Sequence, residues 1–559
     1  MWMPIRAERR RRCPPVAVFP LLALAAGCAD GQSTPDARDG DATVDADDAI
    51  VPEVPIDAED IGPDAEAADV PGDAPVDADA TPDVEDASDA GDTADDADAG
   101  PPDDLIRLVA TAGWQIYPGG GYRYGPSIVI DEFGTVHVWT CSPGGGGAWD
   151  YIRYRSSTDG GRTWAAETIA LQPTAGGRDA LATCDPGVVR IGGWWYLAYT
   201  STEDSRGTDN DLYVARSTAP GGPYDKWNGS GWGGAPQPIL VYEGDPAQYG
   251  IGEPSLVLAD RLYVYYTNLD GTGHTDVATV DPPVGDDWPT RLVLHGPAVV
   301  RRPWGEDSTD VKYVDALGRF VGIATIERFG PNSGVAVYQS FDGLTFEPAV
   351  WQGARVQYGA HNIGLSGDPE GHLDPAAANF VAYSYNPPTS SWGDWPTFLD
   401  PVTVGTAPRG TVVFGRVSSI VGGEPGDWHW SGPRAWDGDA GTVWSSVSHS
   451  AADVAEEWVW VDLGTPRELT GATLVPRPAG YGFPIDFALQ TSDDAASWVD
   501  VPGEAQTGFP NPGGAPVVRT FAAPVRARYL RLRATRLGAD DFGNHYLQLA
   551  ELVPAVSGS

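Results

Sequence analysis

Short runs of aromatic and β-branched residues, separated by Gly, Pro and Asp, fill residues 105 to 555. Short or alternating apolar runs between turn residues are typical of strands, and hardly any run has the spacing of an amphipathic helix. The pattern therefore predicts an all-β protein. Within it, GIGEPSLVLADRLYVYYTN, from Gly250, places Glu253 and Pro254 at the start of a strand. A glutamate before a proline is unfavourable in a strand buried in a core, so this carboxylate needs another explanation.

The same phrase occurs five times along the chain. It reads GPSIVIDEFGTVHVWTC from 125, DPGVVRIGGWWYLAYTS from 185, EPSLVLADRLYVYYTN from 253, DVKYVDALGRFVGIATI from 310 and HNIGLSGDPEGHL from 361. Each copy predicts a strand, a Gly- or Asp-bearing turn and a second strand, and most continue into a third and a fourth. Four-stranded antiparallel units repeated at this spacing are typical of propeller blades. We expect a five-bladed β-propeller over residues 105–415.

Two predicted turns support a propeller. SSTDGGRTW, from Ser156 to Trp164, contains the pattern S-x-D-x-G-x-T-W and resembles the Asp-box of sialidase-type propellers. SFDGLTF, from Ser340 to Phe346, is a degenerate copy. In such a turn the Asp and the Ser or Thr satisfy backbone donors while the Trp packs between sheets, so we expect structural roles for both.

Equivalent positions in a propeller meet at one axis, because the first strand of each blade lines the central channel. The residue before the proline is Gly125, Asp185 and Glu253 in the first three copies, and the last two copies begin at Asp310 and His361. We therefore expect three carboxylates and a histidine around the mouth of one funnel. The alternative is that these acidic residues cap strand ends or bind a structural ion.

The phrases resemble five-bladed carbohydrate-active propellers, notably glycoside hydrolase family 43, over about residues 120 to 405. CDPGVVRIGGWWYLAYTS is similar to the Asp-Pro strand phrase of that family, and GEPSL is similar to the segment that carries its general acid. The resemblance implies that Glu253 is the acid and that Asp185 and Asp310 divide the roles of base and tuning residue. Gly125 departs from the family, whose first blade usually carries the base.

The chemistry suits these residue types. Glycoside hydrolysis uses one protonated carboxyl group to assist the leaving oxygen and one ionised carboxyl group to activate water. Neighbouring carboxylates push their pKa values apart and keep one proton near neutral pH. Trp149, Trp392 and Trp395 are candidate sugar platforms, with core packing as the alternative for each Trp. The expected substrate contacts are His361, Asn362, Asp150, Arg123 and Trp392.

Two other functions are compatible with the sequence. YRYGPS resembles the first-blade Arg segment of sialidases, and Arg123 would be one of the three Arg that such an enzyme needs around a carboxylate. The other two Arg have no convincing context. The second alternative is a non-catalytic glycan-binding or adhesion protein, in which both folded domains only hold sugar.

The pattern changes near residue 418. RAWDGDAGTVWSS, EEWVWVDLG, FPIDFALQTSDDAASWVDV, RARYLRLRA and YLQLAELVPA follow in this order. They resemble the discoidin or coagulation factor 5/8 type C domain, a jelly-roll β-sandwich that includes the family-32 carbohydrate-binding modules. WVWVDLG and RYLRLRA alternate, which predicts strands with one buried face. We expect residues 418–555 to form a carbohydrate-binding sandwich.

Two kinds of site are expected in this sandwich. In relatives, equivalents of Asp437, Asp439, Thr442 and Glu551 hold a structural Ca²⁺, and hard oxygen ligands suit calcium. A plain Asp-Gly turn is the alternative. Sugar contacts in such modules come from loop aromatic residues and Arg, and no cofactor is expected for catalysis. The candidates for sugar contacts are Trp428, Trp430, His449, Arg477 and Tyr481.

The N-terminal part of the sequence predicts a targeting segment and a charged spacer rather than a folded domain. Residues 1–28 combine a basic start, a short apolar run and small residues, which predicts a secretory signal. LAAGC resembles a bacterial lipobox, in which Cys28 would be lipidated, with plain secretion as the alternative. Residues 29–104 are rich in Asp, Ala and Pro, and from Asp30 to Asp104 they carry −26 of the chain's net −43. Such a segment predicts a disordered spacer.

The signal segment and the acidic spacer indicate where the protein is located and what it binds. We expect an extracytoplasmic monomer, in the bacterial cell envelope or secreted, that meets a membrane only through its lipid anchor. The acidic charge lies mainly in the spacer, which disfavours nucleic acid and leaves a glycan as the expected partner. Cys141 and Cys184 remain in the folded part, where a disulfide and two buried thiols are both compatible with the sequence. The sequence contains no spacing typical of a zinc site.

Overall fold

The structure is a computed structural model that describes residues 103–558, except 270–272, 301–305, 328–331, 354–359, 386–394 and 422–429. The signal segment with Cys28, nearly all of the acidic spacer, Trp392 and Trp428 lie outside the described residues. In the described part, no helix is long and apolar enough to span a bilayer. Apart from short 3-10 turns, the described elements are strands, which confirms the all-β prediction. The turns are Trp288–Thr290, Asp315–Leu317, Gly432–Ala435 and Pro478–Gly480.

Antiparallel pairing divides the described strands before residue 410 into five successive sets, which we call blades 1 to 5. Two strands precede the sets, β1 (Asp104–Ala110) and β2 (Trp114–Tyr117). Blade 1 holds β3 (Tyr124–Ile130), β4 (Val136–Pro143), β5 (Asp150–Ser157) and β6 (Thr168–Leu171). Blade 2 holds β7 (Cys184–Ile191), β8 (Trp194–Ser201), β9 (Asp211–Ser217) and β10 (Asp225–Lys226). Blade 3 holds β11 (Ile251–Leu258), β12 (Leu262–Asn268), β13 (His274–Val280) and β14 (Val293–Val300). Blade 4 holds β15 (Glu306–Val314), β16 (Arg319–Ile326), β17 (Gly334–Ser340) and β18 (Glu347–Gly353). Blade 5 holds β19 (Ala360–Gly367), β20 (Asn379–Tyr385) and β21 (Thr397–Pro408).

The first strand of the described residues completes blade 5. β1 pairs antiparallel with β21, from Asp104 opposite Pro408 to Ala110 opposite Val402. Its Ile106 and Leu108 are fully buried, so apolar burial fixes this strand in place. β1 also pairs in parallel with β18, and β19 pairs in parallel with β3. Blades 4, 5 and 1 are therefore joined edge to edge.

Both predicted Asp-box turns are confirmed as structural. Asp159 accepts hydrogen bonds from the hydroxyl of Ser157 at 2.7 Å and from the backbone N–H groups of Arg162 and Thr163 at 3.0 and 2.8 Å. Asp342 repeats this arrangement in blade 4. Each turn joins the third strand of its blade to the fourth. The carboxylate accepts hydrogen bonds from backbone N–H groups of the turn that would otherwise have no partner.

A loop between β19 and β20 crosses one end of the central channel. Carbonyl groups of residues 369, 370 and 371 accept hydrogen bonds from the N–H groups of Arg190 (2.6 Å), Leu258 (2.8 Å) and Tyr313 (3.0 Å). These donors lie at the far ends of the inner strands of blades 2, 3 and 4. Gly371 has a φ of 87°, and a Cβ there would lie 3.0 Å from a backbone oxygen, so the crossing requires glycine. The loop gives the channel a floor opposite the strand starts.

The C-terminal residues form a sandwich around a separate core that includes Trp444, Val459, Leu474, Phe487 and Leu530. Its principal sheet has the order β23-β30-β24-β27-β25-β26, with β22 paired to β24. The long strands β24 and β27 pair with each other across several register shifts. The strands are β22 (Phe414–Val417), β23 (Trp444–Ser445), β24 (Asp453–Pro476), β25 (Asp486–Ser492), β26 (Val499–Gln506), β27 (Val517–Arg536), β28 (Gly538–Ala539), β29 (His545–Tyr546) and β30 (Gln548–Val556).

The sandwich packs on the propeller through a shared apolar cluster. Trp460 is buried with Tyr338 and Val350 of blade 4 and with Tyr529, whereas Val459 and Val461 lie in the core of the sandwich. The prediction that WVWVDLG buries one face is therefore wrong, because the second face meets the propeller. An ion pair of 2.6 Å between Arg416 and Glu327 adds to the same contact.

Candidate active site

The inner strands of the blades share one irregularity close to their first residues. Antiparallel pairing skips two residues in each of β3, β7, β11, β15 and β19. A bulge of this kind bends the strand and redirects a side chain. In blades 1, 2, 3 and 5 the first skipped residue has a positive φ. These residues are Gly125 (56°), Asp185 (49°), Glu253 (49°) and Asn362 (41°).

These bulged positions line one pocket at the propeller axis. They come from four different blades and are accompanied by the residues that follow them. Glu253, whose position before a proline needed an explanation, thus lies at the shared axis rather than in the core of a sheet. The lining residues are Gly125, Pro126, Asp185, Pro186, Glu253, Pro254, Ser308, Thr309, Asp310, Asn362 and Ile363.

Two positions of the predicted ring need correction. By register, blade 4 places Asp307 and Ser308 at the bulge, and blade 5 places Asn362 there, one residue after His361. His361 is buried instead, and its ring centroid lies 4.9 Å from that of Tyr124. The ring supports the wall behind the pocket, and the role of His361 as a hydroxyl contact stays a prediction.

Asp310 reaches the pocket lining, but both of its carboxylate oxygens are held. Oδ1 accepts hydrogen bonds from Ser255 Oγ at 2.7 Å and from Lys312 Nζ at 2.6 Å. Oδ2 accepts one from the backbone N–H of Leu365 at 2.7 Å. Asp310 thus ties the inner strands of blades 3, 4 and 5 together, and its catalytic role stays a prediction.

Asp185 and Glu253 are neighbouring carboxyl groups in the pocket. Asp185 is 9% exposed, and its burial, followed by the charge of Glu253, raises the pKa of its carboxyl group well above the ordinary value. Thr200 connects the two residues, since its hydroxyl hydrogen-bonds Asp185 and accepts the backbone N–H of Glu253 at 2.8 Å. Asn362 Nδ2 donates to Glu253 Oε1 at 3.3 Å. Glu253 is half-buried, and its charge favours the protonated form of the buried Asp185 carboxyl group.

Asp150 lies beside this pair, at the start of β5. Its backbone carbonyl accepts the N–H of Thr183 at 3.1 Å, two residues before Asp185. Burial raises the pKa of the Asp150 carboxyl group to about 6, against the opposing effect of a hydrogen bond from Tyr122. Its charge also contributes to the raised pKa of Asp185. A third acidic group therefore adjoins the ring without belonging to it.

A disulfide between Cys141 and Cys184 lies directly behind Asp185. Of the two alternatives that the sequence left open for these cysteines, a disulfide and two buried thiols, the structure has the disulfide. The bond is enclosed by a cluster of Tyr122, Tyr124 and Trp395. Trp395 is fully buried there and therefore packs in the core rather than forming a sugar platform. Trp149, in contrast, is 38% exposed.

Arg123 does not face the pocket. Its guanidinium donates from Nε and Nη2 to the two carboxylate oxygens of Glu167, both at 2.7 Å, and lies over the ring of Tyr117. This cation is already paired with Glu167, and its substrate contact stays a prediction. The sialidase alternative loses the arginine on which it depended.

The predicted calcium ligands of the sandwich come together. Thr442 Oγ1 donates to Asp437 Oδ2 at 2.8 Å, and Asp437 is in hydrogen-bond contact with Glu551. Glu551 is 6% exposed, and its Oε1 has no hydrogen-bond partner among the described residues. Burial and the neighbouring Asp437 raise the pKa of Glu551. Asp439 lies on the same loop, more exposed, and accepts the N–H of Gly441. A buried carboxylate pair with an unmatched oxygen is a donor set that fits a hard cation.

Some of the predicted sugar contacts of the sandwich form a cluster. The guanidinium of Arg477 lies between the rings of Trp430 and Tyr481, 5.1 and 5.5 Å from their centroids. Tyr481 donates to Asp541, and the next residue, Phe542, is 90% exposed. Sequence patterns did not single out Phe542, although an aromatic residue within the turn DDFGN was a usable signal. His449 is paired with the buried Glu457 at 2.7 Å.

Parts of the chain are similar to known proteins. Residues 417–552 match the F5/8 type C domain family. No curated protein matches the chain in sequence. A solved glycoside hydrolase is similar over 79% of this chain and 99% of its own, with 15% identity and a TM-score of 0.36. A family 117 glycoside hydrolase from the marine bacterium Zobellia galactanivorans is similar over 54% and 90%, with 15% identity and a TM-score of 0.39. A chitosan-binding module of a chitosanase/glucanase from Paenibacillus sp. IK-5 is similar over 26% and 96%, with 25% identity and a TM-score of 0.21. Residues 417–552 thus match the type of domain that the sequence predicted for this segment.

Proposed function

We propose that the protein is a glycoside hydrolase whose reacting groups are Asp185 and Glu253. The observation that carries this proposal is a pair of carboxyl groups, the buried Asp185 and the half-buried Glu253, brought from two blades to one floored pocket, in which burial and then the charge of Glu253 raise the pKa of Asp185. In the reaction the protonated carboxyl group gives its proton to the glycosidic oxygen as the bond from the anomeric carbon breaks. The ionised carboxylate takes a proton from the water that attacks this carbon. The products are two free sugars, and the pair again holds one proton.

The sandwich supports this function by holding the same glycan. Its cluster of Trp430, Arg477 and Tyr481 offers aromatic faces and a cation to sugar rings and hydroxyls, with Phe542 at the edge. Because the two domains belong to one chain, binding at one raises the local concentration of glycan at the other. The proposed partner is therefore a poly- or oligosaccharide.

Hydrolysis of a substrate panel tests the proposed function. The folded chain is incubated with nitrophenyl glycosides and with plant, algal and microbial polysaccharides, and released reducing ends are measured. We expect release from at least one glycan class. Binding of a glycan without any release across the panel would instead favour the adhesion alternative.

We also propose that Asp437, Glu551, Thr442 and Asp439 hold a structural Ca²⁺. The unmatched Glu551 oxygen supports this assignment, since a cation would neutralise the repulsion within the pair. Ca²⁺ would rigidify the loop of Asp437 against β30 and take no part in hydrolysis.

Calcium removal is expected to destabilise the sandwich. A ligand that binds only the folded state stabilises it by about 2.7 kcal/mol at a hundredfold excess over its dissociation constant. Thermal unfolding of the wild type in Ca²⁺ should therefore occur at a higher temperature than in EDTA, and Mg²⁺ should restore little of the difference. Glu551→Gln should abolish the response to Ca²⁺. Identical wild-type melting in Ca²⁺ and EDTA would contradict the assignment.

An extracytoplasmic location is proposed with the same function. The disulfide supports it, because such bonds persist in oxidising compartments. Lipidation of Cys28 stays a prediction from the sequence. Labelling with a radioactive fatty acid of the wild type, compared with Cys28→Ser, would test it.

A further inference from the structure

The connection from β10 to β11 ends in a tyrosine, Tyr249, whose backbone is tightly held. Its carbonyl oxygen accepts the backbone N–H of Asn210 at 2.9 Å and the side-chain Nδ2 of the same residue at 2.7 Å. Gly250 follows with a φ of 93°, and a Cβ there would lie 2.5 Å from the backbone nitrogen of Asn210. This close approach requires glycine, so blade 2 and the start of blade 3 together fix the position of Tyr249.

The half-buried phenol of Tyr249 lies beside the carboxyl group of Asp185. Its hydroxyl donates to Asp185 Oδ2 at 3.5 Å. A Cβ at Gly252 would lie 2.8 Å from this hydroxyl and 2.6 Å from Thr200 Oγ1. The second glycine of YGIGEP thus leaves room for two hydroxyl groups next to Asp185.

The groups around Asp185 have opposing effects on its ionisation. Burial and then the charge of Glu253 raise its pKa, and the charge of Asp150 adds to this effect. Hydrogen bonds from the hydroxyl groups of Thr200 and Tyr249 lower it, because a donor to a carboxylate favours the ionised form. The titratable groups that interact with Asp185 in the described part of the chain are Glu253, Asp150, Tyr122, Tyr124 and Tyr249.

We propose that Tyr249 is a positioning residue for Asp185, whose carboxylate it holds through a hydrogen bond from the phenol hydroxyl to Oδ2 during the reaction. This bond fixes the direction of a carboxyl group that exchanges a proton in each turnover. It is long in the free protein, and we expect it to shorten when substrate binds. The inference rests on the proposed glycoside hydrolase function.

Tyr249→Phe removes the hydroxyl and keeps the ring. Without this donor the ionised form of Asp185 is less favoured, so its pKa rises further. One limb of the pH profile of kcat/KM should therefore move to higher pH by at least about half a pH unit, whether Asp185 acts as acid or as base, and the other limb should move less. At the optimum, kcat should fall roughly tenfold and KM should change less, because the carboxyl group has lost its fixed direction.

Tyr263→Phe is the matched control. Tyr263 donates to Asp260 at 2.9 Å, so this residue also pairs a phenol with an aspartate. It lies opposite Val257, near the floored end of blade 3 and outside the pocket lining. Its pH profile and kcat should match those of the wild type, and thermal unfolding of both variants reports whether the fold is kept. Unchanged limbs in a folded Tyr249→Phe variant overturn the inference.

Melting temperatures between about pH 5 and pH 9 separate this inference from the proposed function. In the folded protein the pKa of Asp185 lies above the unfolded value of about 4, so stability falls as pH rises through the raised pKa. Tyr249→Phe raises this pKa further, so its melting temperature should fall more than that of the wild type over this range. Tyr263→Phe should follow the wild type.

The melting comparison decides alone if the wild type hydrolyses no glycan of the panel. A steeper fall in Tyr249→Phe then keeps the contact between Tyr249 and Asp185 and rejects the hydrolase. Parallel curves for the wild type and Tyr249→Phe, without hydrolysis, reject both.

Discussion

Glu253→Gln is expected to lower kcat on the best glycan of the panel by roughly 10²- to 10⁴-fold, the usual contribution of a general acid or base. The amide keeps the size of the side chain but cannot exchange a proton. KM should change little, because the substituted side chain would still fill the same part of the pocket. The measurement is the initial rate of reducing-end release against substrate concentration. Glu370→Gln is the matched control, because Glu370 lies in the loop that floors the channel, opposite the strand starts.

The same variant should alter the pH dependence of stability. Burial, and then the charge of Glu253, raise the pKa of Asp185 in the folded protein, whereas unfolding restores a value of about 4. The folded state thus binds this proton more tightly, and wild-type stability falls as pH rises from about 4 through the raised pKa. Glu253→Gln removes one cause of the raised pKa, so its melting temperature should fall less than that of the wild type between about pH 5 and pH 8.

Unchanged kcat in Glu253→Gln would remove Glu253 from the mechanism. A variant that loses activity and also melts at a much lower temperature at both pH values would point to a structural role instead. Lost activity with retained or increased stability at the higher pH is the expected combination, since reactive sites hold groups whose burial is unfavourable for folding.

Local patterns predicted the repeated strands and the convergence of the acidic residues, because alternation and turn residues act over a few positions. They could not predict that β1 completes blade 5. DLIRLVA pairs with residues 402–408, and a pairing over that distance leaves no signal in either segment alone. The burial of Trp460 was missed for a related reason, since the packing of one domain on another is not written into the alternation of a single strand.

An alignment of the repeated phrases could have identified the ring residue of blade 5. Asn362-Ile363-Gly364 aligns with Asp185-Pro186-Gly187, and the structure places both triplets at the bulge. An alignment on the shared glycine would have selected Asn362 for the ring in place of His361. The ring position of blade 4 was misassigned to Asp310 because the phrase there lacks the proline that marks the other starts, and the sequence does not reveal Lys312 and Ser255 as the partners of Asp310.

Replacement of both Cys141 and Cys184 by Ser is expected to lower the free energy of unfolding by about 4 kcal/mol, the chain-entropy value for a loop of this length. The sequence separation is 43 residues, and the bond joins β4 of blade 1 to the first residue of β7 in blade 2. Urea unfolding followed by tryptophan fluorescence measures the change.

Activity should fall together with stability in this variant, because Cys184 immediately precedes Asp185 and fixes the start of the bulge that directs its carboxyl group to the axis. The wild type treated with a reducing agent should behave as the double variant does, whereas the double variant should not respond to the agent. If the double variant keeps both the urea midpoint and the kcat of the wild type, packing alone holds β4 and β7 together at this point. The packing residues would be the aromatic cluster of Tyr122, Tyr124 and Trp395. The disulfide would then be dispensable for the geometry of the reactive pair, and the positioning of Asp185 would rest on the bulge and on its hydrogen bond with Thr200.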